Sequence, residues 1–165
     1  MHLLKTWVKA PQLKNSDWLI IGECVKYINS DVLKKFSEGR VVLSVCPEAE
    51  GSFTYGKLAS MIRSSNPRSI VVLTIDSSPH CFTLHAAVNE ALYIVKERVP
   101  RKHYVLVDGR ELVEISPNAI RVARYLYLVD KLVKKNPEVL KELEKHSLEY
   151  KVAREVGEEN KFGEL

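Results

Sequence analysis

Three cysteines, Cys24, Cys46 and Cys81, carry the most reactive chemistry in this 165-residue chain. An odd count fits poorly with a disulfide framework and points to reduced thiols, which serve as metal ligands, nucleophiles or small core residues. Each closely follows a short apolar run, at 18–22, 41–45 and 70–75, and Glu23, Glu48, Asp76, His80 and His85 lie near them. Thiolates joined by an imidazole are the donor set of zinc or of an iron–sulfur cluster. Cys24, Cys46, Cys81, His80 and His85 are therefore the candidate metal ligands, although the chain has no Cys-x-x-Cys pair. The same groups offer a second chemistry: a thiol at a strand-to-helix junction, with His80 or His85 as base to Cys46, is the start of a cysteine nucleophile.

A third candidate is Gly51-Ser52-Phe53-Thr54-Tyr55-Gly56-Lys57-Leu58, which matches the phosphate loop G-x4-G-K except that Leu58 replaces the metal-binding hydroxyl. With Asp76 at the end of an apolar run, Gly51, Gly56 and Lys57 form the candidate cofactor or phosphate site. The remaining histidines, His2, His103 and His146, fall near termini or element edges and read as solvated.

These groups need a scaffold. Apolar, β-branched runs at 18–22, 41–45 and 70–75 read as buried strands, with two more extended runs at 103–107 and 111–115 around the turn signal Asp108-Gly109. Between them lie helical patterns. Asn29, Ser30 and Asp31 offer cap chemistry for a helix to about residue 38, and Gly39 is placed to end it. A second helix holds Leu58, Met61 and Ile62, and a third places Leu84, Val88, Ala91, Leu92 and Val95 on one face. Ser116-Pro117 opens a long helix through Leu132, and Asn136-Pro137 a charged amphipathic one. Leu3, Leu4, Trp7 and Val8 suit a short helix or an edge segment. Strands alternating with helices specify an α/β fold: a three-layer, mostly parallel sheet flanked by helices, flavodoxin-like or Rossmann-like, with a C-terminal helical extension. The expected organisation is a single α/β domain over 1–156 and a frayed tail over 157–165. In such sheets ligands bind beyond the carboxyl ends of the strands, where all three cysteines fall.

Composition narrows the classes further. With 45% apolar and 28% charged residues, the chain has enough apolar surface for a full core, which excludes disordered and collagen-like classes. Its net charge of +4 comes from scattered residues such as Arg63, Arg101 and Arg121, without the dense basic stripe of a nucleic-acid binder. No apolar stretch is long enough to cross a bilayer, and the first residues lack a secretory signal. The expectation is a cytoplasmic protein that engages neither membrane nor nucleic acid.

Short segments resemble the small iron–sulfur (delta) subunit of methyl-viologen-reducing hydrogenases. Ile20-Ile21-Gly22-Glu23-Cys24-Val25-Lys26-Tyr27 is similar to that family's opening strand, Val45-Cys46 to its second strand end, and Leu73 to Cys81 to its third strand and proline-containing loop. Leu112-Val113-Glu114-Ile115-Ser116 resembles its final strand. The resemblance implies an iron–sulfur centre, electron transfer within a larger assembly, and a redox partner subunit. This chain has three cysteines where the family pattern has five, with Lys26 and Tyr27 where a second thiol is expected. The expected function is thus a metal- or iron–sulfur-binding accessory domain in electron transfer, with zinc as the other metal. The alternative is a small-molecule or phosphate-binding α/β domain without metal, with a cysteine-dependent enzyme as one form of it. A homo-oligomer is the other partner expected.

Overall fold

The five extended runs become five strands: β1 (Asp17–Gly22), β2 (Arg40–Val45), β3 (Ser69–Ile75), β4 (Arg101–Val107) and β5 (Glu111–Ile115). The computed structural model describes residues 1–51 and 54–157. The strands form one sheet in the order β2-β1-β3-β4-β5, parallel except for β5. The register places Ile20 beside Leu43 and Val72, and Val72 beside His103.

Because side chains alternate across a strand, the sheet buries two separate apolar faces. On one, Trp18, Ile20, Ile70 and Val72 pack beneath Leu58, Met61 and Ile62 of α4 (Thr54–Ser65) and Leu84 and Val88 of α5 (Pro79–Val95). On the other, Leu19, Ile21, Val71 and Leu73 meet Val25 of α1 (Val25–Ile28) and Val32, Leu33 and Phe36 of α2 (Ser30–Ser37). The three layers expected from the sequence are present. Trp18 is fully buried, and its indole N–H donates to the Leu13 carbonyl at 3.1 Å, so the largest core side chain leaves no polar group unpaired.

Local chemistry explains the element ends. The Asn29 side chain accepts from the Val32 amide at 3.1 Å and caps α2, and Gly39 follows that helix with φ +70°. Asp108 and Gly109 both take positive φ, 48° and 70°, as a type I′ turn asks of its two central residues, and they join β4 to β5 as an antiparallel hairpin. The first residues settle as an edge segment. His2 bridges Ser44 of β2 in parallel, with Leu3 N donating to Ser44 O and Ser44 N to Met1 O, each at 2.8 Å.

Three expectations change. The long helix expected through Leu132 is broken at Arg124 and Tyr125 into α6 (Pro117–Ala123) and α7 (Leu126–Lys135), where Tyr125 takes φ −115°, ψ 85°. The segment after Pro137 is likewise two helices, α8 (Glu138–His146) and α9 (Leu148–Val156), because the Ser147 side chain caps the second by accepting from Tyr150 N. His103 is not solvated; it is fully buried.

Contacts group the chain into two compact units, Met1–Arg121 and Val122–Leu165, where the sequence reading draws one domain over 1–156. The sheet belongs wholly to the first. In the second, α7, α8 and α9 have no buried residue and are laced by exposed pairs such as Lys134–Asp130 at 2.8 Å. The tail expected to fray lies, from residue 158 onward, outside the described residues. Among the described residues no helix is long and apolar enough to cross a membrane.

Candidate functional site

The strand order creates the site. From β1 the chain crosses to β2 on one side, and β3 lies on the other side of β1 and leads to β4. The carboxyl ends of β1 and β3 therefore diverge into a crevice, the usual ligand position in open α/β sheets. Gly22, Glu23 and Cys24 leave β1 there, Cys46 leaves β2, and Asp76-Ser77-Ser78-Pro79 leaves β3.

The β3 loop turns sharply, with Ser77 at φ +64°, and enters α5 through a built cap: the Ser78 hydroxyl accepts from Cys81 N at 3.3 Å. Pro79 then takes the first helical position. The first-turn amides are largely used, since Pro79 has none, Cys81 N serves the Ser78 side chain, and Phe82 N serves the Ser78 carbonyl at 3.0 Å. The helix begins early enough that Cys81 and His85, four residues apart, both face inward. Cys81 lies over β1: its Sγ is 3.4 Å from where a Cβ on Gly22 would stand.

The three thiols share one neighbourhood without forming a ligand set. Cys24 is exposed, Cys46 half-buried and Cys81 buried. Partial burial, and then the proximity of Cys46 and Cys81, raises the Cys24 thiol pKa. Among the described residues, no group of three or more His, Cys, Asp or Glu side chains is disposed to hold a metal ion. The two candidate histidines diverge. His80 lies at the surface, 3.7 Å from the Glu48 carboxylate, whereas His85 is buried and turns to the sheet. Neither makes a hydrogen bond to a thiol; the Cys46 amide donates instead to Glu50 at 2.9 Å, and the other Glu50 oxygen meets His2 at 3.0 Å.

The phosphate-loop candidate takes a different form. A helical turn, α3 (Pro47–Glu50), separates β2 from Gly51, which has φ +76° and is exposed. Gly56 and Lys57 belong to the opening turn of α4, and Ser52 and Phe53 lie outside the described residues. A phosphate cradle needs a strand running directly into the loop, and here it does not. Of the four cofactor-site candidates, Asp76 borders a cavity; Gly51, Gly56 and Lys57 are not among that cavity's walls.

That cavity, about 320 Å³, opens at the carboxyl ends of β3 and β4. Ile75, Pro79, Phe82, Val105 and Ile115 make its apolar walls, and Thr74, Asp76, Ser77, Ser78 and His85 supply polar groups. Behind it runs a buried polar chain. Thr74 Oγ1 is 2.9 Å from His85 Nε2, and His85 Nδ1 is 2.9 Å from His103 Nδ1. One proton must lie between the two Nδ1 atoms, so the rings hold opposite tautomers. Burial pushes the His85 pKa down to about 4. Burial, and then His85, Arg101 and Arg121, pushes that of His103 down to about 3. Both imidazoles are neutral at pH 7. The sequence reading missed His103 and Thr74. The signal available was a histidine inside the β-rich run at 103–107, on the same strand face as Val105.

A family model described as a Rossmann-like domain matches residues 10–161. No curated protein and no solved structure matches the chain.

Proposed function

The chain belongs to the Rossmann-like domain family, and from that premise we propose that it binds a small molecule in the cavity at the carboxyl ends of β3 and β4. The single observation that carries the reading is the cavity itself: its volume lies at the lower end of the range for ligand sites, and its apolar walls converge on a few polar groups. Those groups define the ligand. Asp76 accepts hydrogen bonds, the Ser77 and Ser78 hydroxyls do both, and Phe82 with Ile115 offers a surface for a flat apolar body. A phosphate is a poor occupant here, because the first turn of α5 has few amides left to hold it and Asp76 repels it. The expected ligand is neutral or cationic, with hydroxyl or amine groups.

A dinucleotide does not fit. The first βα turn reads Gly22-Glu23-Cys24-Val25-Lys26-Tyr27, with one of the three glycines that let a pyrophosphate approach the backbone. Glu23 adds a carboxylate, held by Lys26 at 2.9 Å, and α1 is only four residues long. No step through a nicotinamide or flavin dinucleotide follows from these residues.

A thermal-shift panel of nucleosides, amino alcohols and aromatic amines tests the reading. At least one compound is expected to raise the melting temperature of the wild type, with affinity at least ~10-fold weaker in Asp76→Asn and Phe82→Ala, a loss of about 1.4 kcal/mol. No binding, or binding indifferent to both substitutions, removes the proposal.

A second reading is favoured by the shared neighbourhood of the three thiols. In it, Cys24, Cys46 and Cys81, supplemented by His80 or His85, close on zinc or an iron–sulfur cluster. The domain then passes electrons to a partner subunit, as the hydrogenase-like segments suggest. Closing requires movement, since among the described residues no three such side chains are disposed to hold one ion. Anaerobically purified protein carrying stoichiometric iron and sulfide, or zinc, which is lost in Cys81→Ser, supports it. Metal-free protein defeats it.

A further inference from the structure

On the α5 face of β4, roughly one helical turn from His85, the chain gathers positive charge that no carboxylate among the described residues pairs. Arg101 Nε donates to Asn89 Oδ1 at 2.6 Å, which leaves the amide nitrogen of Asn89 to find its own partner. That nitrogen, Asn89 Nδ2, and the far ring nitrogen of His103, Nε2, are buried without a partner among the described residues. Asn89 is only 9% exposed and His103 not at all. Arg121 of α6 stands near enough to Arg101 that their charges oppose one another, and both oppose a proton on His103. Arg121 donates to the neutral amide oxygen of Asn118 at 2.7 Å. Among the described residues no ion pair joins a carboxylate to either arginine.

Two neighbouring guanidinium groups cost Coulomb energy, more so where one is half-buried, unless an anion sits between them. A buried amide N–H without an acceptor costs about 1–3 kcal/mol, and so does His103 Nε2–H in the tautomer that protonates it. An oxyanion relieves both costs at once, because its several lone pairs match the planar fork of arginine and the amide N–H. We propose that Arg101, Arg121, Asn89 and His103 form a binding site for an oxyanion, the phosphate or carboxylate group of a ligand, separate from the cavity beside Asp76. The anion would fix the histidine chain: His103 keeps its proton on Nε2, His85 Nδ1–H donates to His103 Nδ1, and His85 Nε2 accepts the Thr74 hydroxyl, whose proton then turns away from the Ile75 carbonyl 3.2 Å off.

The test is titration of the full chain with inorganic phosphate, and separately acetate, against chloride at matched ionic strength, read by melting temperature and by the histidine resonances. Phosphate or acetate is expected to stabilise the protein where chloride does not, and to shift the His103 signals. Arg101→Gln and Arg121→Gln are expected to weaken the apparent affinity at least ~10-fold. Arg121 is exposed, so its variant folds even where the half-buried Arg101→Gln does not. Arg110→Gln, on the exposed hairpin turn, leaves the affinity unchanged. Equal effects of all three salts, or equal affinity in Arg121→Gln and Arg110→Gln, overturn the proposal.

Discussion

His85 and His103 meet Nδ1 to Nδ1 at 2.9 Å inside the layer between α5 and β4, and both rings are neutral there. Two imidazoles in this arrangement share a single proton, so adding one ionises a buried pair that also faces Arg101 and Arg121.

Stability is therefore expected to depend on pH through these two residues. Each has a folded pKa far below its ordinary 6.5, at about 4 and about 3, so the unfolded chain binds protons first as pH falls. The contribution is complete above pH 6.5 and is lost as pH falls toward 4 and 3. Unfolding free energies from urea titrations should drop between pH 6.5 and 5, by up to about 1.4 kcal/mol per pH unit per histidine. Paired carboxylates such as Asp17 and Glu23 titrate only from below their ordinary 3.8 and 4.5. A His85→Leu, His103→Leu double variant should show a flat profile in this window. An equally steep one refutes the assignment.

Gly109 is expected to be harder to replace than Gly39. Its φ of +70° strains any L side chain, and a Cβ there would meet Ile28 Cγ2 at 2.6 Å. Gly39 has the same φ with nothing within 4 Å. Gly39→Ala should cost about 1–2 kcal/mol from strain alone, and Gly109→Ala at least about 1 kcal/mol more. Adding Ile28→Ala should recover the difference. Denaturant midpoints of the three variants decide it.

Asn29 does two jobs that can be separated. Its oxygen caps α2 at Val32 N, and its amide donates to Gly109 O at 3.2 Å. Asn29→Asp keeps the cap and loses the tie to the hairpin, whereas Asn29→Ala loses both. The expected order of stability is wild type, Asp, Ala, with about 1 kcal/mol for the cap. Equal melting temperatures of the two variants, both below the wild type, would show that the tie, not the cap, dominates.

The thiols should react in an order set by burial. Iodoacetamide is expected to label Cys24 first, Cys46 next and Cys81 last, as followed by peptide mass spectrometry. Because the Cys24 pKa is raised by partial burial and by its two thiol neighbours, its labelling rate should still be climbing above pH 9. Cys46→Ser should bring the midpoint of that rise down. A Cys24 rate already on its plateau at pH 8 contradicts the geometry.

Much of the scaffold was readable from residue types alone. Runs such as Val41-Val42-Leu43-Ser44-Val45 have no other good use in a buried sheet, Asn29 offers cap chemistry, and Asp108-Gly109 suits a hairpin. The break at Tyr125 was not, since a helical period runs on either side of it and nothing in the local sequence marks the stop.

The site was legible only in outline. That Cys24 and Cys46 follow the ends of neighbouring strands, with Cys81 opening the helix after β3, was legible, because a strand's direction decides where its next loop lies. Which groups face each other did not follow. His80 and His85 are five residues apart on one helix, yet one meets solvent and the other His103, because rotation around α5 sends them to opposite sides. The Thr74–His85–His103 chain and the Arg101–Arg121 cluster join residues from separate elements. They depend on the β3–β4 register and on how α5 lies across it, quantities set by packing of the whole core and by no local pattern.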